Sequence, residues 1–270
     1  MQGHSFSAAG RGLIFLAVAC APAWADAVLK PEAIARYDAY IRDTEARIER
    51  EIHAEPFLWS ARPAPRAERV RAGEVVIEPG NGNGLDDIGD ALIHDWIGAV
   101  FIPGVRLDQA IAFLQDYSIH KNYYRPEVID SRLLGRQSDE FHLYYRITKK
   151  KIVTVVVNAN ITATYTRLGP TRALSMGRST RIAEVKDAGQ ATEHEAPVGH
   201  DHGFLWRLNT YWRMEEKDGG VYLECRSVTL SRSVPAGLGW LIFPIIRTFP
   251  RESLTHLLKE SRNAILAHSR

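Results

Sequence analysis

Residues 204–232, FLWRLNTYWRMEEKDGGVYLECRSVTLSR, contain the pattern that decides the fold. Apolar and polar side chains alternate on both sides of the turn sequence Asp218-Gly219-Gly220. An alternation with a period of two predicts strands that bury one face, and a short glycine-containing segment between two such runs predicts a hairpin turn. We therefore expect two antiparallel strands, at 204–217 and 220–233.

The same alternation extends upstream through four more segments. These lie at 128–137, 140–149, 151–166 and 172–185, and short polar or glycine- and proline-containing turns such as Lys149-Lys150-Lys151 separate them. Strands joined by such short turns pair antiparallel, because parallel pairing requires a long crossover connection. The sequence therefore predicts a long antiparallel meander.

Helical patterns flank the predicted sheet. A mostly apolar strand at 92–102 ends at Pro103-Gly104, and helical spacing follows at 107–117. Near the end of the chain, Pro250 or Arg251 is expected to open a helix that runs to His268. One face of that helix contains residues at spacings of three and four, namely Leu254, Leu257, Leu258, Ser261 and Ile265.

The N-terminal part of the chain differs in composition from the rest. An amphipathic helix is expected at 31–53, and the segment 55–73, rich in proline and arginine, is expected to be an extended connector. A short strand is expected near 74–78. The glycine-rich segment 79–84 lacks the Lys-Ser/Thr of a phosphate-binding loop and is expected to form a turn.

Several short stretches in the last third of the chain resemble a known superfamily. They are Tyr211-Trp212-Arg213, Asp218-Gly219-Gly220-Val221-Tyr222-Leu223-Glu224, Leu230-Ser231-Arg232, Val234-Pro235 and Pro250-Arg251-Glu252-Ser253-Leu254. Together with the order of the elements, they resemble an uncharacterised bacterial branch of the START and SRPBCC superfamily, over about 92–268. The resemblance implies an α+β helix-grip fold, in which a curved antiparallel sheet wraps around a long C-terminal helix and encloses a cavity for an apolar molecule.

Candidate ligand-binding residues come from one side of the sixth predicted strand, from neighbouring strands and from the last helix. They are Trp206, Leu208, Trp212, Met214, Tyr145, Glu224, Arg226, Leu254 and Leu258. Glu224 and Arg226 are two apart in a strand and therefore share a face. At this stage they fit three roles: a salt-bridge network on the outer side, a polar anchor inside the cavity, or, with Tyr222, acid/base groups of an enzyme. No residue is predicted to be catalytic.

The segment 236–246 contains eleven uncharged residues and is followed by Arg247. It is too short to span a bilayer. The lid or membrane-docking residues predicted in it are Trp240, Leu241, Ile242 and Phe243. Two interpretations remain open: the segment packs under the last helix and closes one end of the cavity, or it dips into a bilayer while Arg247 and Arg251 meet phosphates.

The segment 194–202 contains three histidines and two carboxylates, a composition that can hold zinc or copper. Its proline and glycine favour a polar hairpin insertion, because metal ligands must converge on one point. We therefore predict no metal and no cofactor. The formal charge of +2, from 34 basic and 32 acidic residues, also gives no indication of a nucleic-acid partner.

Residues 1–25 have the parts of a secretory signal: Arg11, an apolar run at 13–19 and a small-x-small site that ends at Ala25. We expect cleavage after Ala25 and a periplasmic or secreted protein. Removal of Cys20 would leave Cys225 as the only cysteine, so no intramolecular disulfide is expected. The predicted organisation is a signal peptide at 1–25, a helix and connector at 26–73, and a START-like ligand-binding domain at 74–270.

These patterns lead to three hypotheses on function. The first is an exported START-like protein that binds or carries a hydrophobic ligand such as a lipid, a sterol or a polyketide-like molecule, with transient membrane contact. The second is an enzyme of the cyclase or hydrolase type that uses the same cavity. The third is a structural or partner-binding protein with a filled core.

Overall fold

The computed structural model describes residues 26–150, 154–233 and 239–269, and the side chains of all of these except 239–247. The predicted signal peptide at 1–25 lies outside these residues. The strands are β1 (Ala27–Val28), β2 (Val76–Pro79), β3 (Leu85–Asp87), β4 (Ala91–Pro103), β5 (Val128–Gln137), β6 (Glu140–Lys150), β7 (Thr154–Arg167), β8 (Arg172–Lys186), β9 (His194–Glu195), β10 (His200–Asp201), β11 (Arg207–Lys217) and β12 (Gly220–Arg232). The helices are α1 (Pro31–Glu51), α2 (Ala64–Arg71), α3 (Leu107–Gln115), α4 (His120–Tyr123) and α5 (Gly239–His268).

A curved antiparallel sheet forms the centre of the structure. Its main path runs β2-β4-β12-β11-β8-β7-β6-β5, with β3 added to β4. The strands from β5 to β8, followed by β11 and β12, therefore form the expected meander, and β4 pairs with the last of them. In the β11–β12 hairpin, Lys217 lies opposite Gly220 and Trp212 lies opposite Cys225. The predicted α+β fold, a curved sheet with a C-terminal helix, is confirmed.

One face of the sheet, which we call the inner face, packs against α3 and α5. The core there joins α5 residues such as Leu254 and Leu258 to Val100, Leu223 and Met214 of the sheet. Cys225 is buried in the same core, and burial raises the pKa of its thiol. The helix α5 therefore takes the position expected of the gripping helix.

The opposite face of the sheet, the outer face, is covered by the N-terminal segment. Along one side of α1, Tyr37 and Ile41 pack against Ile93, Tyr211 and Val228. The Tyr37 hydroxyl donates a hydrogen bond to the backbone carbonyl of Val228 over 2.9 Å. Because α1 fills this face, the sheet lies between helices on both sides.

The segment 55–73 is not the extended connector that its composition suggests. It contains a 3₁₀ turn at Trp59–Ala61 and the helix α2, and its Phe57, Leu58 and Val70 side chains are at most 4% exposed. These three side chains form a second core with Ala99, Phe101 and Tyr222 of the outer face. The prediction was wrong because a few buried apolar residues outweigh the proline and arginine content around them.

The last helix is longer than predicted. It begins at Gly239 and continues through Pro244 and Pro250, so neither Pro250 nor Arg251 opens it. A proline inside a helix removes one backbone hydrogen bond but has a φ angle that the helix accepts. After Pro250, the Thr255 hydroxyl donates to the Arg251 carbonyl over 2.8 Å. Side-chain hydroxyls therefore bind backbone carbonyls in this part of α5.

Candidate functional site

The inner face of the sheet contains a band of small side chains across its middle. Thr210 of β11 lies opposite Gly177 of β8 and Ser227 of β12. In the next row, Trp212 lies opposite Ser175 and Cys225. A Cβ at Gly177 would lie only 2.6 Å from the Thr210 Oγ1 atom, so the two strands pack closely at this point and a larger residue would not fit. The glycine and serine residues of this band extend only a short way from the sheet.

The helix α5 packs mainly on one side of this band. Among the described strands, its contacts are chiefly with β4 and β12, and it also packs against α3. The approach is close at Gly98, where a Cβ would lie 2.7 Å from the Leu258 Cδ1 atom. The described part of α5 therefore grips the sheet near β4, while β6, β7, β8 and β11 continue beyond that contact.

Several apolar side chains on this remaining inner surface keep part of their area accessible to solvent. Val157, Ala159 and Ile182 are buried there, and partly exposed apolar residues surround them. The partly exposed apolar residues of the inner face include Tyr145, Ile147, Ile161, Tyr165, Leu208 and Trp212. An apolar surface that protein atoms only partly cover is a suitable site for an apolar ligand.

A cluster of tyrosines around His120 borders this surface. The Tyr117 and Tyr165 hydroxyls are 2.9 Å apart, and the Tyr165 hydroxyl donates to the Leu114 carbonyl. The His120 Nδ1 atom lies 2.6 Å from the Tyr145 hydroxyl. Burial raises the pKa of Tyr165 to about 12, so this hydroxyl stays protonated near neutral pH. The cluster presents neutral hydrogen-bonding groups in an apolar setting.

The environment of His120 keeps its ring neutral. The Nε2 atom lies 3.2 Å from the Phe113 carbonyl, so we assign the proton to Nε2, and Nδ1 accepts the hydrogen of the Tyr145 hydroxyl. Burial lowers the pKa of His120 to about 4, against a partial rise from the Phe113 hydrogen bond.

His120 is expected to make the protein sensitive to acid. Between pH 6.5 and pH 5 the unfolded chain binds a proton at this ring that the folded chain does not, so the free energy of unfolding falls as pH falls. One and a half pH units correspond to about 2 kcal/mol for this residue. Urea unfolding at both pH values should show a smaller pH-dependent loss for His120→Phe than for the wild type. The exposed His53→Ala is the control, and equal losses in wild type and His120→Phe would contradict the assignment.

Six of the predicted ligand-binding residues lie on the inner side of the sheet. Trp212 and Met214 pack in the core with Leu254 and Leu258, and Tyr145 contacts the edge of that core. Leu208 lies farther along the same face, in the cluster around Val157 and Ile182. The even-numbered side of β11 is therefore the inner side.

Glu224 and Arg226 share a face, as their spacing predicts, but that face is the outer one. The N–H groups of Trp59 and Ser60 donate to the two Glu224 carboxylate oxygens over 3.1 and 2.6 Å. Burial raises the pKa of Glu224, and the hydrogen bonds from Ser60 oppose this rise. Tyr222 packs on Phe101 on the same side. The sheet separates these three side chains from the inner face, so they do not form a site there.

Trp206 also lies away from the inner surface. It precedes β11 and packs in the outer core with α1, where its Nε1–H donates to Asp201 over 2.9 Å. The alternation of β11 does not extend to Trp206 because the strand begins at Arg207. Trp206 is therefore a structural residue of the outer side.

A small hollow of about 190 Å³ lies between α3 and the ends of β5, β7 and β8. Its lining residues are Ile111, Gln115, Arg136, Asp139, Tyr165, Thr166, Arg167 and Ala173. Tyr165 and Ala173 belong to the inner face, Arg136 and Arg167 bring positive charge to the hollow, and Asp139 brings negative charge. Arg167 is already paired with Asp108, so Arg136 is the cation here without an ion pair to a described carboxylate.

The remaining predictions concern the predicted lid and the histidine-rich segment. The side chains of Trp240, Leu241, Ile242 and Phe243 lie outside the described residues. Among the described helices, none is both long and apolar enough to cross a bilayer. In the 194–202 segment, β9 pairs with β8 and β10 pairs with β1. Among the described residues, no three His, Cys, Asp or Glu side chains lie close enough together to hold a metal ion.

Comparison with known proteins finds similar shapes but no similar sequence. No protein-family model and no curated protein sequence matches the chain. A Thermus thermophilus protein of solved structure is 14% identical, with a TM-score of 0.47 over 64% of this chain and 98% of that one. The STAR-related lipid transfer protein of Xanthomonas axonopodis is 16% identical, with a TM-score of 0.43 over 72% and 98%. The Zhui aromatase/cyclase of a Streptomyces species is 11% identical, with a TM-score of 0.47 over 66% and 96%.

The chain combines a curved antiparallel sheet with a long C-terminal helix on its inner face, the arrangement that the sequence resemblance implies. An outer layer formed by α1 and the 3₁₀ turn near Ser60 covers the opposite face. Sequence reasoning missed the His120 cluster, whose members come from α4 and from three separate segments of the chain. The aromatic residues at Tyr117 and Tyr123-Tyr124, on either side of His120, were the available signal.

Proposed function

We propose that the protein is an exported START-like protein that binds or carries a hydrophobic ligand on the inner face of its sheet. The observation that carries this proposal is the set of apolar inner-face side chains that remain partly exposed on β6, β7, β8 and β11, beyond the contact of α5 with β4 and β12. An apolar ligand that covers them removes this surface from water, which contributes roughly 25 cal/mol per Å². The ligand is an elongated apolar molecule with one polar group.

The small hollow near α3 supports the proposal that the ligand has one polar group. It joins the inner surface at Tyr165 and contains Arg136, together with Asp139 and an Arg167 that is paired with Asp108. The Arg136 guanidinium lies 4.6 Å from the centre of the Phe141 ring, a residue of the inner core. A ligand with an apolar chain along the inner face and a carboxylate or phosphate at this hollow would satisfy both kinds of contact.

The proposal also includes export and a membrane as the source of the ligand. Its support is the signal-like sequence at 1–25 and the uncharged segment that contains Trp240 and Phe243. Contact of that segment with a bilayer stays a prediction.

Ligand binding is tested with a fluorescent fatty acid as the probe, together with native mass spectrometry of the gently purified protein. The decisive variant is Ile161→Glu, which places a carboxylate on the inner apolar surface. We expect at least about tenfold weaker binding of the probe, because burying an unpaired carboxylate against an apolar chain costs more than 1.4 kcal/mol.

Thr162→Glu is the matched control, because Thr162 is the next residue of β7 and faces the outer side. It introduces the same charge with a comparable exposure, and we expect it to change the affinity by less than about twofold. No binding of the probe by the wild type, or equal losses in the two variants, would contradict the proposed function.

A further inference from the structure

The strand β5 forms one edge of the main sheet, and exposed apolar side chains are concentrated on it. Its strand partner in the described sheet is β6, and no described strand pairs with its other side. Among the described residues, five large apolar side chains are exposed, and three of them belong to β5. These are Ile129, Leu133 and Leu134, which are 40%, 40% and 54% exposed. We call these three residues the β5 edge patch. Clustered exposed apolar side chains indicate an interaction surface, whereas scattered ones do not.

The backbone of β5 is poorly suited to pairing with another strand. Its register with β6 shifts between Val128 and Asp130 and again between Leu133 and Gly135. The residues inside these two shifts are members of the β5 edge patch. Bulges interrupt the regular row of hydrogen-bonding groups that a further strand would need, and they protect many sheet edges from such pairing. A partner at this edge would therefore contact mainly side chains.

Three exposed arginines flank the β5 edge patch, namely Arg125, Arg132 and Arg136. The Arg125 guanidinium donates to the Lys121 backbone carbonyl over 3.2 Å, and the Arg136 guanidinium donates to the Ser138 backbone carbonyl over 2.9 Å. Neither guanidinium is paired with a described carboxylate. Backbone carbonyls leave the full positive charge of both side chains uncompensated, so they can still bind an anion.

The neighbouring charges also leave an excess of positive charge. Arg132 and Lys121 share the Asp130 carboxylate, each over 3.0 Å. Residues 121–150 contain seven basic and four acidic side chains, whereas the whole chain contains 34 and 32. The positive excess of the chain is therefore concentrated around β5 and β6. A second copy of the same edge would bring like charges together, whereas an anionic surface would be attracted.

We propose that the β5 edge patch docks the protein on a bilayer that contains anionic lipids. Leu133 and Leu134 would enter the boundary between headgroups and acyl chains, while the three arginines bind lipid phosphates. Arg136 also lines the small hollow near α3, so docking would bring that end of the inner face next to the membrane. This last consequence rests on the proposed function, but docking itself is measured without a ligand.

The test is co-sedimentation of the folded protein with vesicles of phosphatidylglycerol and, separately, of phosphatidylcholine. In about 0.05 M salt we expect at least about tenfold tighter binding to the anionic vesicles, and weaker binding to them in about 0.5 M salt. Leu134→Ser should weaken binding to the anionic vesicles at least about fivefold, because its side chain no longer leaves water on docking.

Val28→Ser is the matched control for the apolar contact. Val28 is 53% exposed, nearly as much as Leu134, and lies on β1 in a separate two-stranded sheet. We expect this variant to change binding to the anionic vesicles by less than about twofold, because it removes exposed apolar surface outside the β5 edge patch. Unchanged thermal melting of both variants would show that any difference between them comes from the surface.

The charge contact is tested separately with Arg125→Gln. It should weaken binding to the anionic vesicles about fivefold and leave binding to phosphatidylcholine vesicles unchanged, because one basic side chain near the bilayer is lost. Arg42→Gln is its control, because it removes an exposed cation from α1 on the outer side, and its effect should be less than about twofold.

Three results would overturn the proposal. The first is no binding of the wild type to the anionic vesicles in about 0.05 M salt. The second is an equal effect of Leu134→Ser and Val28→Ser, or of Arg125→Gln and Arg42→Gln. The third is a dimer in sedimentation velocity that Leu134→Ser dissociates, because the patch would then bind a second copy. Binding of the fluorescent fatty acid without vesicles should stay unchanged in Leu134→Ser, so docking and ligand binding can fail separately.

Discussion

Replacing Arg226 with methionine is expected to lower the free energy of unfolding by about 3–5 kcal/mol. Asp95 is 2% exposed and depends on the Arg226 guanidinium, which binds both of its carboxylate oxygens. Methionine fills much of the same volume but leaves the Asp95 charge buried without a cation. Urea unfolding followed by tryptophan fluorescence measures this loss of unfolding free energy. It is calculated from the change in the urea concentration at the midpoint, provided that the m-value stays constant.

Two further variants distinguish the destabilisation caused by the unpaired Asp95 charge from the destabilisation that any substitution could cause. Arg226→Met combined with Asp95→Leu should recover part of the loss, because the double variant contains no unpaired charge. Lys30→Met removes a cation from an exposed pair with Asp90 and should cost much less than Arg226→Met. Equal losses for Arg226→Met and Lys30→Met would show that the Asp95 charge is solvated.

The long strands are the part of the fold that is easiest to predict from sequence. The expected segment 220–233 corresponds to β12 at Gly220–Arg232, and 128–137 corresponds to β5 at Val128–Gln137. These bounds follow from local chemistry, since a change from alternating residues to glycine, proline or charge marks where a strand ends. Pairing the strands into one meander needs only the short turns between them.

The inner face could not be identified from sequence because both faces of the sheet are largely buried. On β11 the outward-facing Tyr211 is 3% exposed, whereas the inward-facing Trp212 keeps more accessible surface. A hydrophobic alternation identifies the buried side only when the other side meets water. Here α1 covers the outer side, so the sequence left open whether Glu224 and Arg226 belonged to an outer salt-bridge network or to the cavity. Both lie on the outer side beneath the N-terminal segment, where Arg226 pairs with Asp95.

The sequence also did not reveal contacts between side chains that are far apart along the chain. Tyr40 binds Asp95 across 55 positions of sequence, and His120 meets Tyr145 across 25. Single residues of common types have no local pattern that predicts such contacts. Both contacts are therefore visible only in the folded structure.

Replacing Leu258 with alanine is expected to lower the free energy of unfolding by about 2–5 kcal/mol. Leu258 is fully buried, and its Cδ1 atom lies directly over Gly98 of β4. Gly98 has no side chain that could move into the vacated space, so the size of the remaining cavity depends on how far Ile77, which also packs over Gly98, can shift. The loss is again measured by urea unfolding.

Leu257→Ala is the matched control, because it removes the same atoms from the neighbouring, partly exposed position of α5. Its cost should be smaller by at least about 1 kcal/mol, since less apolar area returns to water. Fatty acid binding by the folded Leu258→Ala protein then shows whether α5 only packs on the sheet or also contacts the ligand. If α5 grips the sheet only at β4 and β12, the affinity should stay within about twofold, because the proposed ligand lies on the other side of the band at Thr210. A large loss of affinity at retained fold would place the ligand against Leu258 itself.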